Sequence, residues 1–144
     1  MSETNWEFTH AVECEAPREF AWAYWTNVDN WDDPPARFEF DGPFAVGTRL
    51  TTKLPGQELV SEIREVVEGC AARIEMEVMS AVVAFEWSFE DCGEQRTRIT
   101  QRIELGGVGA VALVEQAKML EQGVPQGMAK LAKNIDRKWA GKGS

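Results

Sequence analysis

Between residues 72 and 105 the sequence alternates apolar and polar side chains in three successive segments, and this period of two restricts the fold more than any other feature. Ala72, Ile74, Met76 and Val78 alternate with Arg73, Glu75 and Glu77, and Val83, Phe85, Trp87 and Phe89 alternate with Ala84, Glu86, Ser88 and Glu90. Thr97, Ile99, Gln101, Ile103 and Leu105 then alternate with Arg98, Thr100, Arg102 and Glu104. Successive side chains of a strand point to opposite faces, so each segment predicts a strand with one apolar and one charged side. An antiparallel meander of such strands sets glutamates beside arginines on the wet face and leaves an apolar face that needs a cover.

Four earlier segments extend the same pattern. In residues 5–14, Trp6, Phe8, His10, Val12 and Cys14 share one side; residues 37–40 and 48–54 alternate again; residues 57–67 predict a further strand, with a bulge at the adjacent Val66 and Val67. The cover comes from the C-terminal region, where Val124, Met128, Leu131, Ile135 and Trp139 follow a helical spacing, with Pro125 expected near the first turn and Lys133, Arg137 and Lys138 toward the last. A weaker stripe of Ala110, Leu113, Ala117 and Leu120 precedes it, and Gly123 is expected to separate the two.

The region after the first strand is predicted to be helical, because Pro17 suits a first turn and Glu19 complements the helix dipole there. On a wheel Phe20, Tyr24, Val28 and Trp31 share a stripe that Ala21 and Trp25 widen, while Trp22 falls nearly opposite. This arrangement has Phe20, Val28 and Trp31 pinning the helix to the sheet, Tyr24 and Trp25 bordering any cavity, and Trp22 meeting a second surface or solvent. Asp32-Asp-Pro-Pro35 ends the helix, because the residue before a proline avoids helical geometry.

Charge and cysteine usage exclude several functions. A net charge of −9 and a pI near 4.7 disfavour nucleic acid and anionic membranes as partners. The longest apolar stretch, Val108 to Val114, is too short for membrane insertion. Cys14, Cys70 and Cys92 are widely spaced, and no signal-peptide pattern opens the chain, so a cytoplasmic protein is expected. With a single histidine, no zinc pattern forms, and Asp29, Asp32 and Asp33 lack a calcium-loop pattern, so no metal or other cofactor is expected. Gly106-Gly-Val-Gly109 lacks a full dinucleotide fingerprint, and no nucleophile motif surrounds any serine.

The order strand, helical pair, further strands and long C-terminal helix joins Ala16-Pro17, Asn27-Val-Asp-Asn-Trp31, Asp41-Gly-Pro-Phe-Ala-Val-Gly-Thr48, Thr97-Arg-Ile-Thr-Gln101 and the Gly106-Gly107 break. Together these resemble the START-like superfamily of polyketide cyclase/dehydrase and lipid-transport proteins, along nearly the whole chain. The resemblance implies a single α+β domain over residues 1–144 with the helix-grip fold: a curved antiparallel sheet of about seven strands around a long C-terminal helix, with a ligand cavity between them.

Candidate cavity residues are the inward apolar side chains Phe38, Phe40, Ile63, Met76, Phe85 and Trp87, with Tyr24 and Trp25 from the first helix and Met128 and Leu131 from the last. Met119 and Met128 would give the helical cover an adaptable surface. The informative positions are polar residues in inward phase: His10, Thr52 and Gln101. If the first and last strands pair, as the resemblance implies, His10 and Gln101 are neighbours that either bond to each other or face a ligand.

His10 is also a candidate general base, since imidazole titrates near neutrality. Glu75, Glu77, Glu86 and Glu104 fall on the outer phase, and Glu65 is an inward carboxylate only if its strand keeps phase. Arg73, Arg98 and Arg102 also fall outward, which departs from the inward arginine that the resemblance implies for an aromatase/cyclase.

The leading expectation is a protein, monomer or homodimer, that binds a small apolar or aromatic molecule. The alternatives are a cyclase, dehydratase or hydrolase using His10 with Gln101 or Tyr24, and an accessory protein acting through a surface that exposes Trp22. The basic end formed by Lys130, Lys133, Arg137, Lys138 and Lys142 complements a helix dipole or docks an acidic partner.

Overall fold

The structure, a computed structural model, describes residues 4–31 and 37–142. Its elements are β1 (Thr4–Cys14), α1 (Arg18–Thr26), a short 3-10 turn (Val28–Asn30), β2 (Arg37–Phe40), β3 (Arg49–Leu54), β4 (Gln57–Val67), β5 (Ala71–Val78), β6 (Ala81–Gly93) and β7 (Arg96–Gly106). A 3-10 turn (Ala110–Leu113), α2 (Val114–Lys118) and α3 (Leu120–Lys142) follow. The strands form one seven-stranded antiparallel sheet in the order β1-β7-β6-β5-β4-β3-β2, and the long terminal helix packs on it, as the alternation and the helical stripe predict. The proposed end of the first helix at Asp32 to Pro35 lies outside the described residues.

Period-two patterning sets the faces. Thr97, Ile99, Gln101, Ile103 and Leu105 of β7 are buried on the inner side. On the outer side Arg102 donates to Glu7 at 2.6 Å and contacts Glu86 and Glu104, while Arg73 donates to Glu75 at 2.7 Å and also binds Glu86. Arg64 continues the chain of charges to Glu75 at 3.5 Å and Glu62 at 3.0 Å.

The bulge in β4 falls at Ile63 to Glu65, earlier than the Val66-Val67 pair predicted. Arg64 is the extra residue. Glu65 is therefore turned to the exposed side opposite Arg73, and Val66 returns to the inner side.

α1 departs from the single-stripe expectation. Its buried residues are Ala21, Trp22 and Trp25, and Trp22 is only 4% exposed. The wheel finds one stripe, but the helix is covered on two sides. Trp22 and Trp25 meet Phe89 of the sheet, each with ring centroids 5.4 Å away, whereas Phe20 meets Trp139 of α3 at 5.0 Å. The indole Nε1 of Trp22 donates to Glu68 at 3.3 Å, so its polar edge is satisfied as it enters the core. A surface exposing Trp22 does not exist.

The crossing from β1 into α1 is pinned from both layers. Thr97 Oγ1 donates to the Ala16 carbonyl at 2.7 Å, and the Glu15 N–H donates to Asp136 Oδ1 of α3 at 2.6 Å. Pro17 occupies the N-cap with extended geometry, one place before the first helical residue.

α3 also begins earlier than the sequence predicts, running through both Gly123 and Pro125. Leu120 and Val124 pack against the buried cluster of Ala81, Val83, Ile103, Leu105, Ala110 and Ala117, and this burial outweighs the poor helix propensity between them.

Three outcomes follow from this packing. A Cβ added at Gly123 meets nothing within 4 Å, so Gly123→Ala should stabilise the protein by about 0.5–1 kcal/mol in urea unfolding. Thr97→Val strips the buried Ala16 carbonyl of its donor and should cost about 1–3 kcal/mol in the same measurement.

The third concerns Cys14, whose thiol burial pushes up to about 11, with the charge of Asp136 adding to the effect. A raised folded-state pKa makes the protonated thiol's contribution to stability complete below the ordinary value of 9.0 and lost as pH rises through about 11. Denaturant titrations across that window should therefore show a shallower loss of stability in Cys14→Ala than in the native chain.

Candidate functional site

The fully buried residues of the inner face fall into two clusters, bridged by the partly buried Phe85 and Val124. One buried cluster gathers Cys14, Ala16, Trp22, Trp25, Ile63, Phe89, Ile99 and Ile135 among others; the second centres on Val83, Ile103, Leu105 and Ala117. On β7, Ile99 belongs to the first and Ile103 to the second, with Gln101 between them. Strand register places Gln101 beside His10 on β1 and Trp87 on β6, so a row of polar and aromatic side chains crosses the sheet where the aliphatic packing divides.

A cavity of about 440 Å³ opens at that division, within the range of small-molecule sites. Tyr24 and Trp25 of α1, Asn30 and Trp31 after it, Phe38 of β2, Trp87 of β6 and Gln101 of β7 line one side. The other side is α3 and the residue before it, from Met119 to Asn134. Of the sequence candidates, Tyr24, Trp25, Phe38, Trp87, Gln101, Met128 and Leu131 thus come together on this cavity.

The remaining candidates lie elsewhere. Ile63 is fully buried in the first cluster, and Phe40 packs on Trp31 at 5.1 Å and Phe44 at 6.3 Å. Met76 packs against the second cluster and Phe85 against both, and Thr52 is half-buried on β3 opposite Phe38. His10 is half-buried and stacks with Phe8 at 6.4 Å, which itself stacks with Trp6 at 6.3 Å. Although His10 and Gln101 are register partners, no hydrogen bond joins their side chains among the described residues.

The aromatic wall is closely interlocked. Trp25 sits 4.9 Å from both Trp87 and Phe44, and 5.8 Å from Trp31, whose Nε1 donates to the Trp25 carbonyl at 2.6 Å. Asn30 Nδ2 donates to the Tyr24 carbonyl at 2.9 Å. Burial holds the Tyr24 hydroxyl above its ordinary pKa, against the opposing charge of Arg137.

Gln101 is 7% exposed and has no side-chain hydrogen bond among the described residues. No fully buried side-chain nitrogen or oxygen lacks a partner there, so its amide reaches the cavity rather than solid core.

Sequence reasoning missed Gly123, Gly127, Lys130 and Asn134 on α3. Their signal was present: they follow i, i+4, i+7 and i+11, one place before the apolar stripe of Val124, Met128, Leu131 and Ile135, and so form its flank. Among the described residues no group of three or more metal-ligating side chains is found, and no helix is long and apolar enough to cross a membrane.

Solved structures share this architecture. Norcoclaurine synthase from Thalictrum flavum, in complex with dopamine and hydroxybenzaldehyde, is 16% identical, with 96% of this chain and 88% of that chain covered and a TM-score of 0.72. The di-domain ARO/CYC protein BexL from the BE-7585A biosynthetic pathway is 16% identical over 91% of this chain and 46% of its own, with a TM-score of 0.70. A hypothetical protein from Helicobacter pylori is 17% identical over 95% and 89% of the two chains, with a TM-score of 0.68. No curated protein matches the sequence. At these identities the likeness shows the fold. The family model described as polyketide cyclase / dehydrase and lipid transport, however, matches residues 5–136 of the sequence itself, and the chain belongs to that family.

Proposed function

We propose that the protein binds a small, largely aromatic molecule in the cavity between the sheet and α3. The observation that carries this reading is Gln101: a buried amide without a protein partner, set where two hydrophobic cores part and opening on a space walled by indole and phenyl rings. The amide reaches the cavity, where water satisfies it, and a guest that covered it without a hydrogen bond would forfeit about 1–3 kcal/mol, so the site suits a ligand bearing a hydroxyl or carbonyl. The rings supply apolar contact and fix the plane of the guest.

The placement of His10 supports binding in preference to acid–base turnover at this cavity, because the candidate base stacks on Phe8 and does not line the wall. Dopamine and hydroxybenzaldehyde, the molecules held by norcoclaurine synthase, have the size and ring character that this reading calls for.

An apolar fluorescent probe should bind with one-to-one stoichiometry and quench the cavity tryptophans. Gly127 faces the cavity, and a Cβ there meets nothing within 4 Å, so Gly127→Leu should fold normally and weaken the probe by about tenfold or more, equivalent to about 1.4 kcal/mol. Unaltered probe affinity in a folded Gly127→Leu protein would place the probe elsewhere and refute the assignment.

A further inference from the structure

The charge around the cavity narrows the class of ligand, on the assumption that the cavity is a binding site. The whole chain carries −9, yet no carboxylate is found among the described residues that line the cavity, and Lys130 is the one charged side chain there. Lys130 is exposed at the mouth of the cavity, and its ammonium, solvated there, has no ion-pair partner among the described residues. The outer face is different: there Arg64, Arg73 and Arg102 are each held by glutamates.

Lys130 is also not isolated. Lys130, Asn134 and Arg137 follow i, i+4, i+7 on α3 and so share one flank of the helix. Lys130 and Asn134 line the cavity, and the charge of Arg137 acts on the hydroxyl of Tyr24, another lining residue. The cavity edge along α3 therefore offers an ammonium, a side-chain amide, a phenol hydroxyl and a nearby guanidinium, all able to donate hydrogen bonds or positive charge.

Aromatic walls by themselves also attract cations through the ring faces. An ammonium ligand at this edge would face Lys130 with no carboxylate from the described lining to balance it. An anion would pair with this solvated ammonium instead.

We propose that the cavity takes an aromatic carboxylate, its ring laid against the Trp25 and Trp87 pair and its anionic group directed to Lys130 and Asn134. Gln101, deeper on β7, then meets a hydroxyl or carbonyl substituent at the opposite end of the guest.

Calorimetric titration of the full chain with 2-naphthoate, 2-naphthalenemethanol and 2-naphthylmethylammonium at low ionic strength tests the assignment. The naphthoate should bind tighter than the alcohol by about two- to fivefold, the scale of an exposed charge pair, and the ammonium should bind weakest. Lys130→Gln should bring the naphthoate down to the alcohol's affinity, and Lys130→Glu should make the ammonium the preferred guest.

Equal affinity for naphthoate and alcohol, tightest binding of the ammonium, or a preference for naphthoate that survives Lys130→Gln would each overturn the assignment while leaving the cavity as a binding site. Failure of all three molecules to bind would overturn the proposed function, and this assignment with it.

Discussion

The inner face of the sheet has to accommodate one buried amide, and much of the site follows from that constraint. Ile99 and Ile103 are both fully buried on β7, so aliphatic packing presses in from either side of Gln101. Closing the gap with more aliphatic side chains would leave the amide without partners, at a cost of about 1–3 kcal/mol. Its cross-strand neighbours instead are an imidazole and an indole, and α3 presents glycine at positions 123 and 127 where it passes over. The division into two cores and the space between them are thus two views of one arrangement.

The tryptophans give that space its shape. A side chain with two rotatable bonds and a broad rigid ring holds its position once a few edges are fixed. Trp25 is held among Trp22, Trp31, Phe44, Trp87 and Phe89, and Trp31 is tied to it through the backbone carbonyl. α1 can present this cluster because it lies between layers, with Trp22 and Trp25 toward the sheet and Phe20 toward α3. The wall of the cavity is therefore an extension of the main core, and a guest need not organise it.

This layering explains which features the sequence disclosed. Strand alternation stands in plain sight, because each strand has one wet face studded with charge; β4 emerges with the predicted bounds, Gln57 to Val67, whereas the pairing of His10 with Gln101, which joins the first strand to the last, was expected from the family resemblance and not from alternation. α1 defeats the same logic, since a wheel seeks one buried stripe and Trp22 looks surplus until a second covering layer is known. Gly123 resembles a helix boundary for a related reason: its local cost is visible, whereas the burial of Leu120 and Val124 that offsets it is tertiary. Lys130 and Asn134 were hidden because polar residues on a terminal helix usually face solvent, and only the position of the cavity makes them its edge.

The acidic net charge at first opposes an anionic guest, yet distance decides which field the guest feels. At physiological salt, exposed charges are largely screened beyond about 8 Å, so the −9 of the whole chain acts mainly on the approach. Glutamates 7, 75 and 86 on the outer face are already engaged by Arg102 and Arg73, which further reduces what they project through the sheet. Among the described lining residues the one charged side chain is Lys130, and the charge of Arg137 acts on Tyr24. A guest that has reached the ring cluster is thus governed by the sign of this short helical flank, and the arrangement selects after encounter more than during it.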